Sequence, residues 1–260
     1  METMTDEKWE LTPELVAKWQ TGPLFLDARP DQALVGWLGV AAATGLNIWY
    51  AVWLAMHFPG SGQVYLLALY IPLGLLLADM FSGLLHWATD TWFDEPFGGR
   101  LIRVGREHHV KPRYLLHYGF RDYGSYAAWP VLIVFGPLIV LQTFVLAPSA
   151  LNIAGVAISF ATTATMYFSV YAHRLGHQNS KSRAILFLQR YHLILSPHHH
   201  GIHHRGNHDI HYCVIFGWGN YILDPIKFWR GLEWLVVALT GAVPRADDEE
   251  WQATERALRP

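Results

Sequence analysis

Four apolar stretches, Ala33 to Phe58, Gln63 to Leu85, Ala127 to Ala147 and Ala150 to Ala172, are each long enough to cross a bilayer. A hydrocarbon core of about 30 Å needs roughly 20 helical residues. A backbone inside it must satisfy its own hydrogen bonds, so each stretch is expected to be a helix. Of the 260 residues 52% are hydrophobic and 15% charged, a membrane composition rather than an average soluble one. The expected fold is an all-α integral membrane protein, with four transmembrane helices and a cytosolic histidine-rich helical cap over residues 173–260. Residues 1–32 read as an N-terminal cytosolic segment, acidic and without the basic start and cleavage site of a signal peptide. Residues 33–260 read as one domain.

Charge orients the spans. The turns HFPGSG and Pro148-Ser149 carry no Lys or Arg, whereas three precede the first span, six lie between His86 and Tyr126, and ten follow Ala172. By the positive-inside rule both termini and the central loop face the cytoplasm. The membrane would be the inner membrane of a bacterium or the endoplasmic reticulum of a eukaryote. A net charge of −2 gives no reason to expect a nucleic-acid partner. The single cysteine, Cys213, excludes an internal disulfide framework and a thiolate zinc cluster, so any metal must be held by nitrogen and oxygen. Beyond Ala172 come a basic helix candidate, Ser182 to Leu195, and an apolar segment, Gly231 to Leu239. The latter is too short to span and, flanked by aromatic residues, reads as interfacial.

Fourteen of the fifteen histidines lie between His86 and His211, in clusters. HRLGH sets His173 and His177 four apart, on one face of a helix. His200, His203 and His204 repeat that spacing, and His208 follows His204 by four. Adjacent His108 and His109 point about 100° apart on a helix, which suits two metals, or one ligand and one supporter. His86 stands at the end of the second span, with Asp90 a turn beyond and Asp79 about two turns before it. A lone histidine at a helix end is usually interfacial, as His57 is read on the opposite side. A carboxylate such as Asp79 inside an apolar span is costly unless paired, and therefore reads as functional. Imidazole suits zinc, copper, iron and nickel, but eight or more histidines oversupply one zinc. The number fits two metals, and an iron pair is the choice that activates O2. Asp79, Asp90, Glu107 and Asp209 read as partners that orient ring nitrogens.

The stretches ADMFSGLLHWATDTW, REHH, HRLGH, PHHHGIHH with NHD following, YCVIFGWGNY and PRADD resemble the plasmanylethanolamine desaturase family, also called the Kua or CarF family. The resemblance runs from Asp79 to Asp248. It implies a membrane enzyme holding two iron ions that uses O2 and two electrons to introduce the vinyl ether double bond of plasmalogens into an ether phospholipid. It further implies His86, His108, His109, His173, His177, His200, His203 and His204 as iron ligands, with His199 and His208 as supporters or additional ligands. No flavin, Rossmann or iron–sulfur motif is present, so the electrons are expected from an external donor such as cytochrome b5 or ferredoxin. Arg100, Arg103, Arg106, Lys111 and Arg113 form a basic loop that could dock a phosphate headgroup or an acidic donor, or simply be solvated. The same scaffold could instead desaturate an acyl chain, hydroxylate a lipid, or bind metal without turnover.

Overall fold

A computed structural model of the chain describes residues 30–92, 105, 108–109, 112–117, 120, 124–205 and 208–245. The expected N-terminal segment, apart from its last residues, lies outside them. Among the described residues there are helices and connections and no strand. Helix α1 is Pro30–His57, α2 is Leu67–Thr91, and α3 is Trp129–Val140, flanked by wider π-type turns at Gly124–Ala128 and Leu141–Val145. Helix α4 is Ala150–Met166 and α5 is Ser169–Gly176. Three helical segments, Leu34–His57, Val64–Thr91 and Tyr126–Val145, are long and apolar enough to cross a membrane. The pair α4 and α5, bent by 47°, makes a fourth if counted as one span.

Two of these boundaries differ from the sequence expectation, and both differences build the site. Helix α2 runs past Leu85 to Thr91, carrying His86 and Asp90 on one continuous, buried helical face. The fourth stretch is bent where threonines crowd its backbone. The hydroxyls of Thr162, Thr163 and Thr165 donate to the carbonyls of Ile158, Ser159 and Ala161, each four residues back, at 2.9, 3.0 and 2.7 Å. Such back-bonding loosens and bends a helix. The bend turns α5, with His173, toward α2.

Packing is tightest between α2 and α4. Gly74 makes this possible, because a Cβ there would stand 2.5 Å from Ala161 Cβ and 2.9 Å from the Ile158 carbonyl. The Thr162 hydroxyl hydrogen is shared across the crossing with the Gly74 carbonyl, at 3.1 Å from Oγ1. Small residues at a membrane crossing let backbones approach and bond in this way. Helix α1 packs on α4 and on the start of α3, tied by Tyr50 donating to Gln142, and Gln142 donating to Ser159. The outward faces are apolar: Ile133, Phe144 and Leu151 are each more than 60% exposed.

Beyond α5 the chain packs across the ends of α2 and α5. Helix α6 (Arg183–Arg190) is shorter than the expected Ser182 to Leu195, and the chain turns at His192 with a left-handed φ of 55°. Helix α7 is Pro197–His204, begun by Ser196, whose hydroxyl accepts from the His199 amide, and by Pro197 in the first turn. A strap over residues 208–219 then leads through α8 (Asn220–Leu223) to α9 (Phe228–Thr240). Helix α9 buries Trp229 and Glu233 and exposes Trp234 and Leu239. Past α9 the Arg245 amide donates to the Thr91 carbonyl at 2.7 Å, tying the PRADD stretch to the end of α2.

Candidate metal centre

Three helices and one short turn deliver nitrogen to a single buried place. Helix α2 brings His86 and α5 brings His173, with His177 as its C-cap residue. One and a half turns of α7 bring His200, His203 and His204, while His108 and His109 share a helical turn. The ligand-capable atoms fall into two groups, each with all atoms within 4.8 Å of one another. One comprises His108, His173, His177, His200 and His204, and the other His86, Asp90, His109 and His203.

In the first group His200 Nε2 stands 2.9 Å from His173 Nε2, 2.9 Å from His177 Nε2 and 3.0 Å from His204 Nε2. An imidazole nitrogen has either one hydrogen or one lone pair, so it can join in one of these contacts as a hydrogen bond and not in three. The remaining contacts set lone pairs against each other unless a cation lies between them. Nitrogens about 2.1 Å from a shared ion stand about 3.0 Å apart at right angles and about 3.4 Å apart at tetrahedral angles, close to the spacings seen here. In the second group Asp90 Oδ2 stands 3.0 Å from His86 Nε2, 3.3 Å from His109 Nε2 and 3.5 Å from His203 Nε2. Among the described residues neither Asp90 oxygen has a hydrogen-bonding partner, although the side chain is fully buried. A buried carboxylate surrounded at these distances and not hydrogen-bonded fits a cation as its partner. The residues present therefore fit two cations.

Burial also sets the protonation that metal binding needs. It pushes His109, His200 and His204 well below the ordinary histidine value of 6.5, and for His200 and His204 neighbouring imidazoles push further the same way. Neutral rings keep the lone pair a metal takes. For two of these rings the tautomer is fixed as well. His86 Nδ1 lies 3.0 Å from the Tyr212 carbonyl and His203 Nδ1 lies 2.7 Å from the Ile210 carbonyl. A carbonyl only accepts, so each Nδ1 carries the hydrogen and each Nε2 turns its lone pair inward. A cavity of about 110 Å³ reaches this centre, lined by His86, His108 and His173 on one side and by Leu115, Tyr126 and Val170 among others.

Two nitrogen-rich groups beside a small apolar cavity, on a bundle with membrane-spanning helices, set the chain against known proteins. The model of the lipid desaturase domain matches residues 75–247, which hold every histidine of both groups. The chain belongs to the lipid desaturase family. Plasmanylethanolamine desaturase 1 of Mus musculus is 35% identical over 194 residues, 72% of this chain and 70% of that protein. The plasmanylethanolamine desaturase of Myxococcus xanthus is 33% identical over 228 residues, 83% of this chain and 74% of that protein. A probable fatty acid desaturase of Acanthamoeba polyphaga mimivirus is 34% identical over 196 residues, 72% of this chain and 90% of that protein. No solved structure matches. The chain is thus an oxidoreductase of the lipid desaturase kind.

Three of the four acids expected to orient ring nitrogens lie among the described residues. Asp90, expected to orient a ring nitrogen, stands among the ligand-capable atoms; its spacing of four from His86 already put both on one helical face. Asp79 orients no imidazole directly, because its oxygens accept from the backbone amides of Ile215, Phe216, Gly217 and Gly219. Asp209 pairs with Arg230. His86 and His203 are oriented by the carbonyls of Tyr212 and Ile210, which no local sequence signal marks.

His199 faces away from both groups, with its Nε2 3.0 Å from Asn220 Nδ2. His208 lies past the end of α7, so the spacing of four from His204 is not helical; its ring stacks on His109 with centroids 4.0 Å apart. His211 Nδ1 pairs with Asp224 at 2.8 Å, and His57 Nδ1 bonds the Trp53 carbonyl at 2.8 Å. Glu107, Arg100, Arg103, Arg106 and Lys111 lie outside the described residues, as do the side chains of Arg113 and His117.

Proposed function

We propose that this desaturase introduces the vinyl ether double bond of plasmalogens, converting plasmanylethanolamine to plasmenylethanolamine with two iron ions, O2 and an external electron donor. The observation that carries the metal part is the pair of adjacent groups. Eight histidines divide between two sets of ligand-capable atoms rather than crowding one. The names of the relatives support the substrate, since plasmanylethanolamine desaturases match 72% and 83% of the chain. In our reading His108, His173, His177, His200 and His204 hold one iron, and His86, Asp90, His109 and His203 hold the other.

Bound there, the iron pair supplies the O2-dependent oxidation: the lipid loses two hydrogens, and O2, with two further electrons and two protons, leaves as two waters. The chain's own residues hold His86 and His203 in one tautomer, exclude bulk water and place the substrate. Leu115, Met166 and Val170 make the cavity beside His86, His108 and His173 largely apolar, suiting an alkyl chain. The site lies at one end of the spans, and a headgroup held at the surface keeps C1 and C2 of an ether-linked chain near it. The lopsided Lys and Arg distribution puts that end in the cytoplasm, with both termini, within reach of a carrier such as cytochrome b5 or ferredoxin. The basic loop from Arg100 to Arg113 is suited to a phosphate headgroup or that donor.

Supplied with a 1-O-alkyl ethanolamine phospholipid, O2 and a reducing chain, the protein should yield a product lighter by two hydrogens that releases a long-chain aldehyde in acid. A relative named a probable fatty acid desaturase keeps acyl-chain desaturation as the second reading. A new acyl double bond without acid-released aldehyde would select it.

A further inference from the structure

Asp79 is fully buried in the middle of α2, yet it touches neither ligand group. Its Oδ1 accepts from the amides of Ile215, Phe216 and Gly217 at 3.0, 2.8 and 3.2 Å, and its Oδ2 from the Gly219 amide at 2.9 Å. Four amides converging on one carboxylate form an anion-holding concavity of backbone, and they offset the cost of a charge in a membrane helix. The strap is held to α2 a second time, where Ser82 Oγ accepts from the Val214 amide at 3.2 Å. A turn of α2 further on, His86 meets the same strap at the Tyr212 carbonyl, and His203 meets it at Ile210. The two carbonyls that fix ring tautomers thus belong to the segment that Asp79 clamps.

The two ligand groups differ in this support. In the Asp90 group, His86 and His203 each donate Nδ1–H to a strap carbonyl. In the five-histidine group, Nδ1 of His200 and of His204 has no hydrogen-bonding partner among the described residues. The first group also carries a carboxylate, the second only imidazoles.

We propose that Asp79 is a positioning residue, which through the strap presets the His86–Asp90–His109–His203 group to take its cation first and more tightly than the five-histidine group. This rests on the reading that each group holds a metal. In Asp79→Asn the amide oxygen can keep the three donors on Oδ1, but the new NH2 faces the Gly219 amide, donor against donor. The charge that strengthens all four bonds is also lost. The strap then loosens, and supporting contacts of this kind alter metal affinity by about 10- to 100-fold.

The test uses the full chain in detergent, stripped of metal and titrated with Co2+ alone, reading ions per chain and the cobalt absorption bands. The wild-type chain is expected to take up two ions in two separable steps. Asp79→Asn is expected to weaken the first step about 10- to 100-fold and leave the second in place, so that one site fills at concentrations that fill two in the wild type. Equal weakening of both steps, or none, would overturn the role of Asp79 while leaving a two-metal enzyme intact. A wild-type chain that binds only one ion would overturn the two-metal reading and this proposal with it. If Asp79→Asn does not fold, Ser82→Ala decides: it removes one clamp bond and should weaken the first step alone, and unchanged binding would count against the proposal.

Discussion

Gly83→Ala tests whether the strap must lie against α2 for the centre to form. Gly83 sits one turn before His86, and a Cβ there would stand 2.6 Å from Cys213 Sγ, 3.1 Å from the Cys213 amide nitrogen and 3.1 Å from Trp229 Cη2. The sulfur contact is about 0.8 Å short of ordinary van der Waals separation. Cys213 follows Tyr212, whose carbonyl holds His86 at 3.0 Å, and a shift of that size in the strap breaks the bond. Overpacking of this kind costs about 1 to 3 kcal/mol, and the gain of about 1 kcal/mol from replacing glycine in a helix offsets part of it. The lost orientation of His86 should lower metal affinity by about 10- to 100-fold. Gly201→Ala is the matched control, since Gly201 lies inside the histidine-bearing α7 but a Cβ there meets nothing within 4 Å among the described residues. Iron per chain and thermal stability of the two purified variants provide the assay. Gly83→Ala should lose iron and stability, and Gly201→Ala should keep the iron and hold or gain stability. Full iron and an unchanged melting temperature in Gly83→Ala would refute the argument that the strap orients His86.

Ala in place of His86, His109, His177 or His203 should each abolish turnover and lower bound iron, while the protein still inserts and purifies with the membrane fraction. Gly74→Leu should destabilise the bundle by several kcal/mol, because even a Cβ there comes within 2.5 Å of Ala161, and detergent-solubilised yield should fall accordingly. Stripped of metal, the protein should lose stability as pH falls through and below about 6.5. The buried rings of His109, His200 and His204 refuse protons that the unfolded chain binds, so the unfolded state gains as protons become available; melting curves from pH 8 to 5 would show it. Single-cysteine probes at Gly60 and Ser149 should react from the outer face and one at Lys181 from the cytoplasmic face. Labelling of all three from one side would contradict the topology drawn from the Lys and Arg distribution.

The spans were legible because bilayer thickness fixes a length, and 20-odd apolar residues announce it. The convergence of the histidines on α5 and α7 was legible because helical spacing of three and four puts imidazoles on one face whatever the rest of the chain does. Asp90 obeys the same rule relative to His86, and its spacing alone pointed to the face the ligands share. The bend before α5 was not legible, since it depends on three threonine hydroxyls bonding back to their own helix, two of them while also reaching Gly74 or Asn47 on a neighbouring helix. Asp79 shows the boundary most clearly. Its cost in a membrane helix marks it as purposeful, but the amides that answer that cost lie 136 to 140 residues away. The carbonyls of Ile210 and Tyr212 are invisible for the same reason, because every residue has a carbonyl and only the folded strap aims these two.

Lipid analysis of a plasmalogen-free cell expressing the chain tests most directly whether this centre makes a vinyl ether. Lipid extracts would be compared with and without acid treatment, beside cells expressing His203→Ala. The account predicts ethanolamine ether lipids lighter by two hydrogens and a long-chain aldehyde released by acid, both absent in the variant. Lipids that gain a hydroxyl or an acyl double bond and release no aldehyde would contradict it.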